Sequence, residues 1–405
     1  MACIVMKFGG TSVGNCELIK NVARHVKTEI DQGNKVVVVV SAMSGITDSL
    51  IDYCKQISPM PDICEYDAVI ATGEQVTAGL LAIALQELNI PTRSWAGWQI
   101  PIKTDGIHGK ARVESIITTE LEQLMAIGYV SVVAGFQGIS SDNRVTTLGR
   151  GGSDTSALAI AVAIKADRCD IYTDVDGIYT ADPRIVFRAR KLNKITYEEM
   201  LELASLGAKV LQTRSIEIAM KYLVRVQVLS SFVDSVGTLI CNEDEIVEKE
   251  LVSGVTYNRD EAKITLIGVA DCPGVAASIF GPLNDANINV DMIVQNVSDD
   301  NIHADVTFTV SKSDLDFAIK VLNKKQKDLN YERLLSDSNV SKISIIGSGM
   351  RSHSGVALKM FKTLAEKSIN IQVISTSEIK VSVLISEEYT ELAIRALHSA
   401  YGLDI

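Results

Sequence analysis

The segment from Lys35 to Met43 reads KVVVVVSAM, and it is the strongest indication of the fold of the first part of the chain. A continuous run of β-branched residues is typical of a strand buried on both faces, as in a parallel sheet. Before it, Glu17–Gln32 has apolar residues three and four positions apart, which is helical spacing. A short apolar run, Cys3–Phe8, stands before that helix. The order strand, helix, strand predicts an α/β unit.

The same alternation continues through the first ~240 residues. Glu74–Leu88 has helical spacing, whereas Tyr129–Gly135 (YVSVVAG) and Cys169–Thr173 (CDIYT) have the composition of strands. These segments predict a sandwich with helices on both faces of a mainly parallel sheet.

The last third of the chain contains an internal repeat. ITLIG at 264–268 is matched by ISIIG at 343–347, and INV at 288–290 is matched by INI at 369–371. Each copy follows the order strand, glycine-bearing loop, helix, strand, strand, helix, which predicts two ferredoxin-like βαββαβ modules. Pro282 lies inside the first helix of the first copy and should kink or shorten it.

Composition excludes several classes of protein. The 405 residues are 47% hydrophobic and 22% charged, with a net charge of −11, which is globular and argues against a nucleic-acid or membrane binder. The seven cysteines form no C-x-x-C pair, so we expect neither a disulfide framework nor a zinc site. The longest uninterrupted apolar runs fall short of the ~20 residues that cross a bilayer. We expect a soluble, cytoplasmic protein.

Two glycine-rich loops precede predicted helices. The first is KFGGTS at 7–12, where glycines allow close approach of a phosphate and Lys7 adds a positive charge. The second is TLGRGGSD at 147–154, where Arg150 suits a bidentate contact with a carboxylate or phosphate. Neither is a Walker A loop, and Asp154 breaks the dinucleotide fingerprint. The alternative for each is a plain strand-to-helix turn.

Further polar residues follow other predicted strands. The stretch from Tyr172 to Arg184 reads YTDVDGIYTADPR and concentrates carboxylates beyond a strand end, where open α/β sheets bind ligands. Glu74 and the loop Ser41–Thr47 stand at comparable positions. A solvated turn and simple helix caps are the alternatives.

Taken together, these stretches resemble the aspartokinases of the amino-acid-kinase fold. The matching motifs are KFGGTS at 7–12, VVSAM at 39–43, TGE at 72–74, AGFQG at 134–138, TTLGRGGSDT at 146–155 and TDVDGIYTADPR at 173–184. The C-terminal repeat resembles the tandem ACT domains of that family. The resemblance implies a three-layer kinase sandwich over residues 1–245 and ACT modules over 246–335 and 336–405. The length implies the monofunctional form.

The resemblance also implies the activity, which is ATP-dependent phosphorylation of the β-carboxylate of L-aspartate to 4-phospho-L-aspartate, the entry step toward lysine, threonine, methionine and diaminopimelate. A carboxylate is already ionised at neutral pH and needs no general base. Catalysis then depends on positioning and charge stabilisation. By resemblance, the catalytic residues are Lys7, Asp154 and Glu74.

The ligand-binding residues also follow from the resemblance. Those for aspartate are Ser41, Thr47, Glu74, Arg150, Gly151 and Ser153. Those for the nucleotide are Lys7, Phe8, Gly9, Gly10, Thr173, Asp174, Tyr179, Asp182, Arg184, Lys209 and Val210. Mg²⁺ is expected chiefly through phosphate and water, without a protein metal site.

The ACT pair implies feedback inhibition by lysine, threonine or both, and a homodimer or higher homo-oligomer. The effector residues implied are Asp271, Gly274, Ala276, Asn289, Val290, Asp291, Gln295, Val356, Asn370 and Ile371. Three alternatives stay open: ACT modules without ligand, a non-catalytic amino-acid sensor, and a kinase of the same fold for glutamate, acetylglutamate or a nucleotide.

Overall fold

The structure is a computed structural model that describes residues 2–205, 210–246, 250–297, 302–353 and 355–404. The chain forms two compact units. The first comprises Met1–Ile178 and Lys191–Glu248, and the second comprises Tyr179–Arg190 and Lys249–Ile405. The segment Tyr179–Arg190 therefore groups with the second unit, although the sequence suggests that it continues the catalytic domain. Its apolar residues explain this, because Ala181 and Val186 are buried in a core of the second unit.

The first unit contains twelve strands and eight helices among its described residues. Its strands are β1 (Cys3–Phe8), β2 (Lys35–Val40), β3 (Thr92–Trp95), β4 (Ile102–Thr104), β5 (Val113–Ile116), β6 (Val130–Ala134), β7 (Gln137–Ile139), β8 (Val145–Thr147), β9 (Arg168–Thr173), β10 (Lys194–Thr196), β11 (Val226–Ser230) and β12 (Thr238–Cys241). Its helices are α1 (Cys16–Asp31), α2 (Ile46–Ile57), α3 (Ile63–Ile70), α4 (Thr72–Glu87), α5 (Thr119–Ala126), α6 (Gly152–Ala163), α7 (Tyr197–Ser205) and α8 (Thr213–Tyr222).

Eight of these strands form one sheet in the order β10-β12-β11-β9-β1-β2-β6-β3. Every neighbouring pair is parallel except β11 with β12. The mainly parallel sheet predicted from the valine run is therefore confirmed. That run forms β2, which lies between β1 and β6 in the sheet. A smaller sheet has the order β5-β4-β7-β8.

The two-residue period of β1 divides its side chains between two layers. Ile4, Met6 and Phe8 are buried in one core with residues of α1 and α4. Lys7 points to the opposite face, which α6 covers. Helices thus pack on both faces of the sheet, and Lys7 is the polar residue that β1 directs into the α6 layer.

The stretch Ile63–Glu87, which contains α3 and α4, has the length and hydropathy of a membrane span. Half of its most apolar window is buried inside the protein. Ala78, Leu81 and Leu85 of α4 belong to the core against the sheet. Its apolar character is that of a core helix.

The second unit repeats one arrangement twice. Its strands are β13 (Gly254–Ala270), β14 (Asp291–Val297), β15 (His303–Val310), β16 (Arg333–Ile346), β17 (Val373–Thr376) and β18 (Lys380–Ser386). Its helices are α9 (Val275–Asp285), α10 (Leu315–Lys324), α11 (Gln326–Leu329), α12 (Gly355–Glu366) and α13 (Thr390–Ala400). The strands form one antiparallel sheet in the order β14-β15-β13-β16-β18-β17.

The long central strands serve both copies. Residues 254–258 of β13 pair with 342–346 of β16, and residues 263–267 pair with 333–337. Each copy therefore uses one end of each long strand, and the predicted division between residues 335 and 336 falls within β16. The helix with Pro282 continues to Asp285, so the proline lies inside α9 without ending it.

Candidate active site

Lys7 and Asp154 form a buried ion pair between β1 and α6. Lys7 Nζ lies 2.5 Å from Asp154 Oδ1, and each side chain is 10% exposed. Lys7 is thus the ionic partner of this buried carboxylate oxygen. Asp154 lies in the first turn of α6. The pair thus places a fixed positive charge beside a helix N-terminus, where an anion is stabilised.

Close backbone approaches explain the glycines around this pair. A Cβ at Gly10 would lie only 2.9 Å from the carbonyl oxygen of Ala42, whereas one at Gly9 would make an ordinary contact, 3.5 Å from Lys7 Nζ. A Cβ at Gly135 would meet the Ser153 Cβ at 2.9 Å. The loops after β1, β2 and β6 therefore lie against one another and against the start of α6.

Glu74 brings a second buried carboxylate to this region. It is 3% exposed, and its Oε1 accepts a hydrogen bond from the Ala42 N–H at 3.0 Å. Its Oε2 is buried and has no hydrogen-bond partner among the described residues. Burial raises the pKa of Glu74 to about 7, against the opposing effect of the Ala42 N–H. A buried acceptor oxygen without a donor suits a cationic group of a ligand.

The other residues predicted for aspartate surround these loops. Ser41 donates its N–H to the Phe8 carbonyl oxygen at 3.1 Å, and Thr47 lies half-buried in the first turn of α2. Ser153 is buried in the first turn of α6, and Gly151 precedes that helix with φ +69°. Arg150 is exposed and makes no hydrogen bond or ion pair with the described residues.

The predicted nucleotide residues divide between the two units. Thr173 ends β9, and its hydroxyl donates to Asp174 Oδ1 at 3.1 Å. Tyr179, Asp182 and Arg184 belong to the second unit, where Arg184 Nη2 lies 2.8 Å from Asp182 Oδ2. The hydrogen bonds from Arg184 lower the pKa of Asp182.

The remaining residues predicted to bind the nucleotide are Phe8, Lys209 and Val210. The Phe8 ring is fully buried and stacks on Tyr172 with centroids 4.5 Å apart, so only the backbone of Phe8 is available to a ligand. Val210 lies half-buried in a turn before α8. Lys209 lies outside the described residues.

In the second unit, several predicted effector residues lie around the start of α9. Gln295 donates to Asp271 Oδ1 at 3.3 Å, and Gly274 precedes α9 with φ +94°. The remaining residues of the first copy are exposed or half-buried: Ala276, Asn289, Val290 and Asp291. Asp291 Oδ2 accepts from Lys342 Nζ at 2.5 Å.

The corresponding residues of the second copy differ in burial. Val356 is buried in the hydrophobic core, and its carbonyl oxygen accepts from the Tyr401 hydroxyl at 2.7 Å. Asn370 is exposed, and Ile371 is half-buried against that core.

Sequence reasoning missed a buried carboxylate beside the second glycine-rich loop. Asp67, on α3, is fully buried and accepts four hydrogen bonds. Thr147 donates two of them, and His108 and Gly109 donate one each. The available signal was an aspartate in the middle of the apolar helix ICEYDAVI, where a charge requires partners.

The chain is similar to two families of known proteins. Residues 2–230 match the amino acid kinase family, and residues 264–326 and 343–401 match the ACT domain. An aspartate kinase of Stutzerimonas stutzeri strain A1501 is 55% identical over 405 residues, which is 100% of this chain and 98% of that protein.

Solved structures of aspartokinases match nearly the whole chain. Escherichia coli aspartokinase III in complex with aspartate and ADP has a TM-score of 0.82 at 26% identity, covering 98% of this chain and 99% of that one. The same enzyme in complex with lysine and aspartate has a TM-score of 0.78 at 26% identity, covering 98% and 99%.

The chain belongs to the amino acid kinase family. Within that family it is a member of the aspartokinases that carry two ACT domains. The family and fold inferred from its motifs are confirmed.

Proposed function

We propose that this protein catalyses ATP-dependent phosphorylation of the β-carboxylate of L-aspartate to 4-phospho-L-aspartate. The observation that carries the proposal is the buried Lys7–Asp154 pair at the start of α6. It presents a positive charge to a transferring phosphoryl group, whose reaction depends on positioning and charge stabilisation.

The residues divide this work as follows. Lys7 stabilises the charge on the transferred group, and Asp154 holds Lys7. The exposed Arg150 guanidinium binds the α-carboxylate of aspartate, and the unpartnered Glu74 Oε2 accepts from its α-ammonium. Ser41, Thr47, Gly151 and Ser153 complete this pocket. Arg150→Gln should therefore raise KM for aspartate about 10–100-fold, the effect of losing hydrogen bonds between charged groups.

ATP is the proposed phosphoryl donor. The backbone around Gly9 and Gly10 receives its phosphates, and Thr173, Asp174 and Val210 of the first unit contact the nucleotide, as does Lys209. Tyr179, Asp182 and Arg184 are proposed for the same ligand. Mg²⁺ would neutralise phosphate charge and would be held chiefly through phosphate oxygens and water. Among the described residues there is no group of three or more His, Cys, Asp or Glu that could hold a metal ion.

A direct test is trapping of the acyl phosphate with hydroxylamine in the presence of ATP and Mg²⁺. Aspartate, glutamate and acetylglutamate are compared as acceptors. Hydroxamate formed from aspartate alone supports the proposal. Hydroxamate formed from glutamate or acetylglutamate instead would favour a related kinase of the same fold. No hydroxamate from any of the three acids would favour a non-catalytic amino-acid sensor.

Feedback regulation by lysine, threonine or both is proposed for the ACT pair. Support comes from the exposed residues at the start of α9, where Asp271 offers a carboxylate and the chain at Gly274–Ala276 offers backbone N–H groups. The assay above, repeated with each amino acid at about millimolar concentration, tests it, since effector binding must change the rate. A rate indifferent to both amino acids contradicts the proposal.

We further propose a homodimer, or a higher homo-oligomer, formed through the ACT modules in the cytoplasm. Light scattering coupled to size exclusion measures the mass of the assembly. A monomer at all concentrations contradicts the proposed association.

A further inference from the structure

The loop between β8 and α6 carries Arg150, and one backbone hydrogen bond closes it, from the Gly152 N–H to the Gly149 carbonyl oxygen at 2.9 Å. Residues 148–152 read LGRGG, and Gly149 and Gly151 have φ of +76° and +69°. Glycines leave a loop with large conformational freedom and no side chains to pack. Contacts from neighbouring parts of the fold therefore add to the single bond that closes the loop around Arg150.

Asp67 supplies such contacts at the beginning of the loop. Its Oδ1 accepts the Thr147 hydroxyl at 2.6 Å, and its Oδ2 accepts the Thr147 N–H at 3.0 Å. Thr147 is the last residue of β8, so both bonds fix the residue from which the loop departs. The Asp67 side chain is fully buried, so it acts on a ligand only through the loop.

The same carboxylate holds the segment against which the loop lies. Its Oδ2 also accepts the Gly109 N–H at 3.0 Å and lies 2.8 Å from His108 Nδ1. A Cβ at Gly149 would approach the Gly109 carbonyl oxygen to 3.2 Å, so the two segments are in close contact. The Asp67 carboxylate thus connects Thr147, at the start of the loop, with the segment of His108 and Gly109.

A second side chain fastens the loop from α8. Arg214 donates to the carbonyl oxygens of Leu148 at 3.0 Å and Ala111 at 2.9 Å. Arg214 therefore bridges the same two segments that Asp67 joins. Together they act on the loop ahead of Arg150.

We propose that Asp67 is a positioning residue that, through Thr147 and Gly109, holds the loop 148–151 in the geometry that binds aspartate. The inference rests on the proposed role of Arg150. A carboxylate that satisfies buried N–H and O–H donors on two segments removes their relative freedom before ligand binds. Loss of this order weakens binding, because the loop must then be ordered at the expense of affinity.

Thr147 offers a sharp test that leaves Asp67 in place. Thr147→Val removes one hydroxyl at nearly constant shape, whereas Thr147→Ser retains it. The matched control is Thr146→Val, because the neighbouring Thr146 hydroxyl is also buried but bonds to Thr104 Oγ1 at 2.8 Å. Kinetic constants are measured on the full chain for aspartate and for ATP.

Thr147→Val should raise KM for aspartate about tenfold, the effect of one hydrogen bond to a charged group. The kcat and the KM for ATP should stay unchanged, and Thr147→Ser should restore the aspartate KM. A merely structural role predicts less active protein with an unchanged KM. An unchanged aspartate KM in Thr147→Val, or an equal rise in Thr146→Val, overturns the proposal.

Two further variants keep the test decisive. If Thr147→Val does not fold, His108→Leu removes the side-chain bond that holds the segment of Gly109 to Asp67, because leucine has no donor. It should raise the same KM, and an unchanged KM overturns the proposal. Arg150→Gln distinguishes the proposed binding role of Arg150 from the positioning role of Asp67. If it leaves the aspartate KM unchanged, the proposed role of Arg150 fails. If Arg150→Gln raises it and Thr147→Val does not, only the positioning role of Asp67 fails.

Discussion

The protonation of Glu74 should make the stability of the first unit depend on pH. The perturbation is Glu74→Gln, which removes the charge at nearly constant size and keeps an oxygen for the Ala42 N–H. In the folded protein, burial raises the pKa of Glu74 from 4.5 to about 7. The folded protein therefore binds the proton more tightly than the unfolded chain does.

The sign of the effect follows from linkage. Below pH 4.5 both states hold the proton, and the folded state carries no charge penalty at this site. As the pH rises to about 7, the unfolded chain releases the proton more easily, and folding loses free energy. Above pH 7 the difference reaches about 3 kcal/mol, because each pKa unit corresponds to about 1.4 kcal/mol. Glu74→Gln abolishes this loss.

Tryptophan fluorescence isolates the relevant transition, because both tryptophans, Trp95 and Trp98, belong to the first unit. The melting temperature of Glu74→Gln relative to wild type should rise by about 5–10 °C between pH 5 and pH 8, as expected for a unit of this size. Glu87→Gln, at an exposed position of the same helix, should show no such trend. An equal difference for Glu74→Gln at both pH values would refute the reasoning.

Three further predictions concern other buried ionisable residues. Lys7→Met should lower kcat by about 10²–10³-fold while the fold is retained, measured by steady-state kinetics, because it removes a charge held for the transferred group. Glu261→Gln should destabilise the second unit by about 1–3 kcal/mol in calorimetry, because it weakens the 2.6 Å buried pair with Lys342 while Asp291 still pairs with that lysine. His398 has a pKa lowered by burial, so the second unit should lose stability as the pH falls below about 6.5, and His398→Gln should remove that dependence in melting curves.

Each of these has a matched control at an exposed position. Lys20→Met should leave kcat unchanged, Glu391→Gln should leave the second unit within about 0.5 kcal/mol of wild type, and His353→Gln should keep the acid-induced loss of stability. Full activity in Lys7→Met, an unchanged melting temperature in Glu261→Gln, or a preserved pH dependence in His398→Gln would each contradict the corresponding prediction.

The elements and the family could be predicted from the amino-acid sequence alone. The valine run of β2 and the helical spacing of α1 depend on residues near one another in the chain, so their periods reveal which faces are buried. The glycine-rich loops were also visible locally, because backbone approach requires that residue type wherever it occurs. The repeat of ITLIG and ISIIG indicated two similar modules for the same reason.

Contacts between residues far apart in the chain are visible only in the folded structure. The order of strands in the sheet brings Asp154 to Lys7 and Asp67 to Thr147, and no local period encodes such a pairing. The shared strands β13 and β16, and the packing of Tyr179–Arg190 in the second unit, likewise depend on where apolar faces find cover. Burial then raised the pKa of Glu74, because desolvation depends on the whole environment of a carboxylate rather than on its neighbours in sequence.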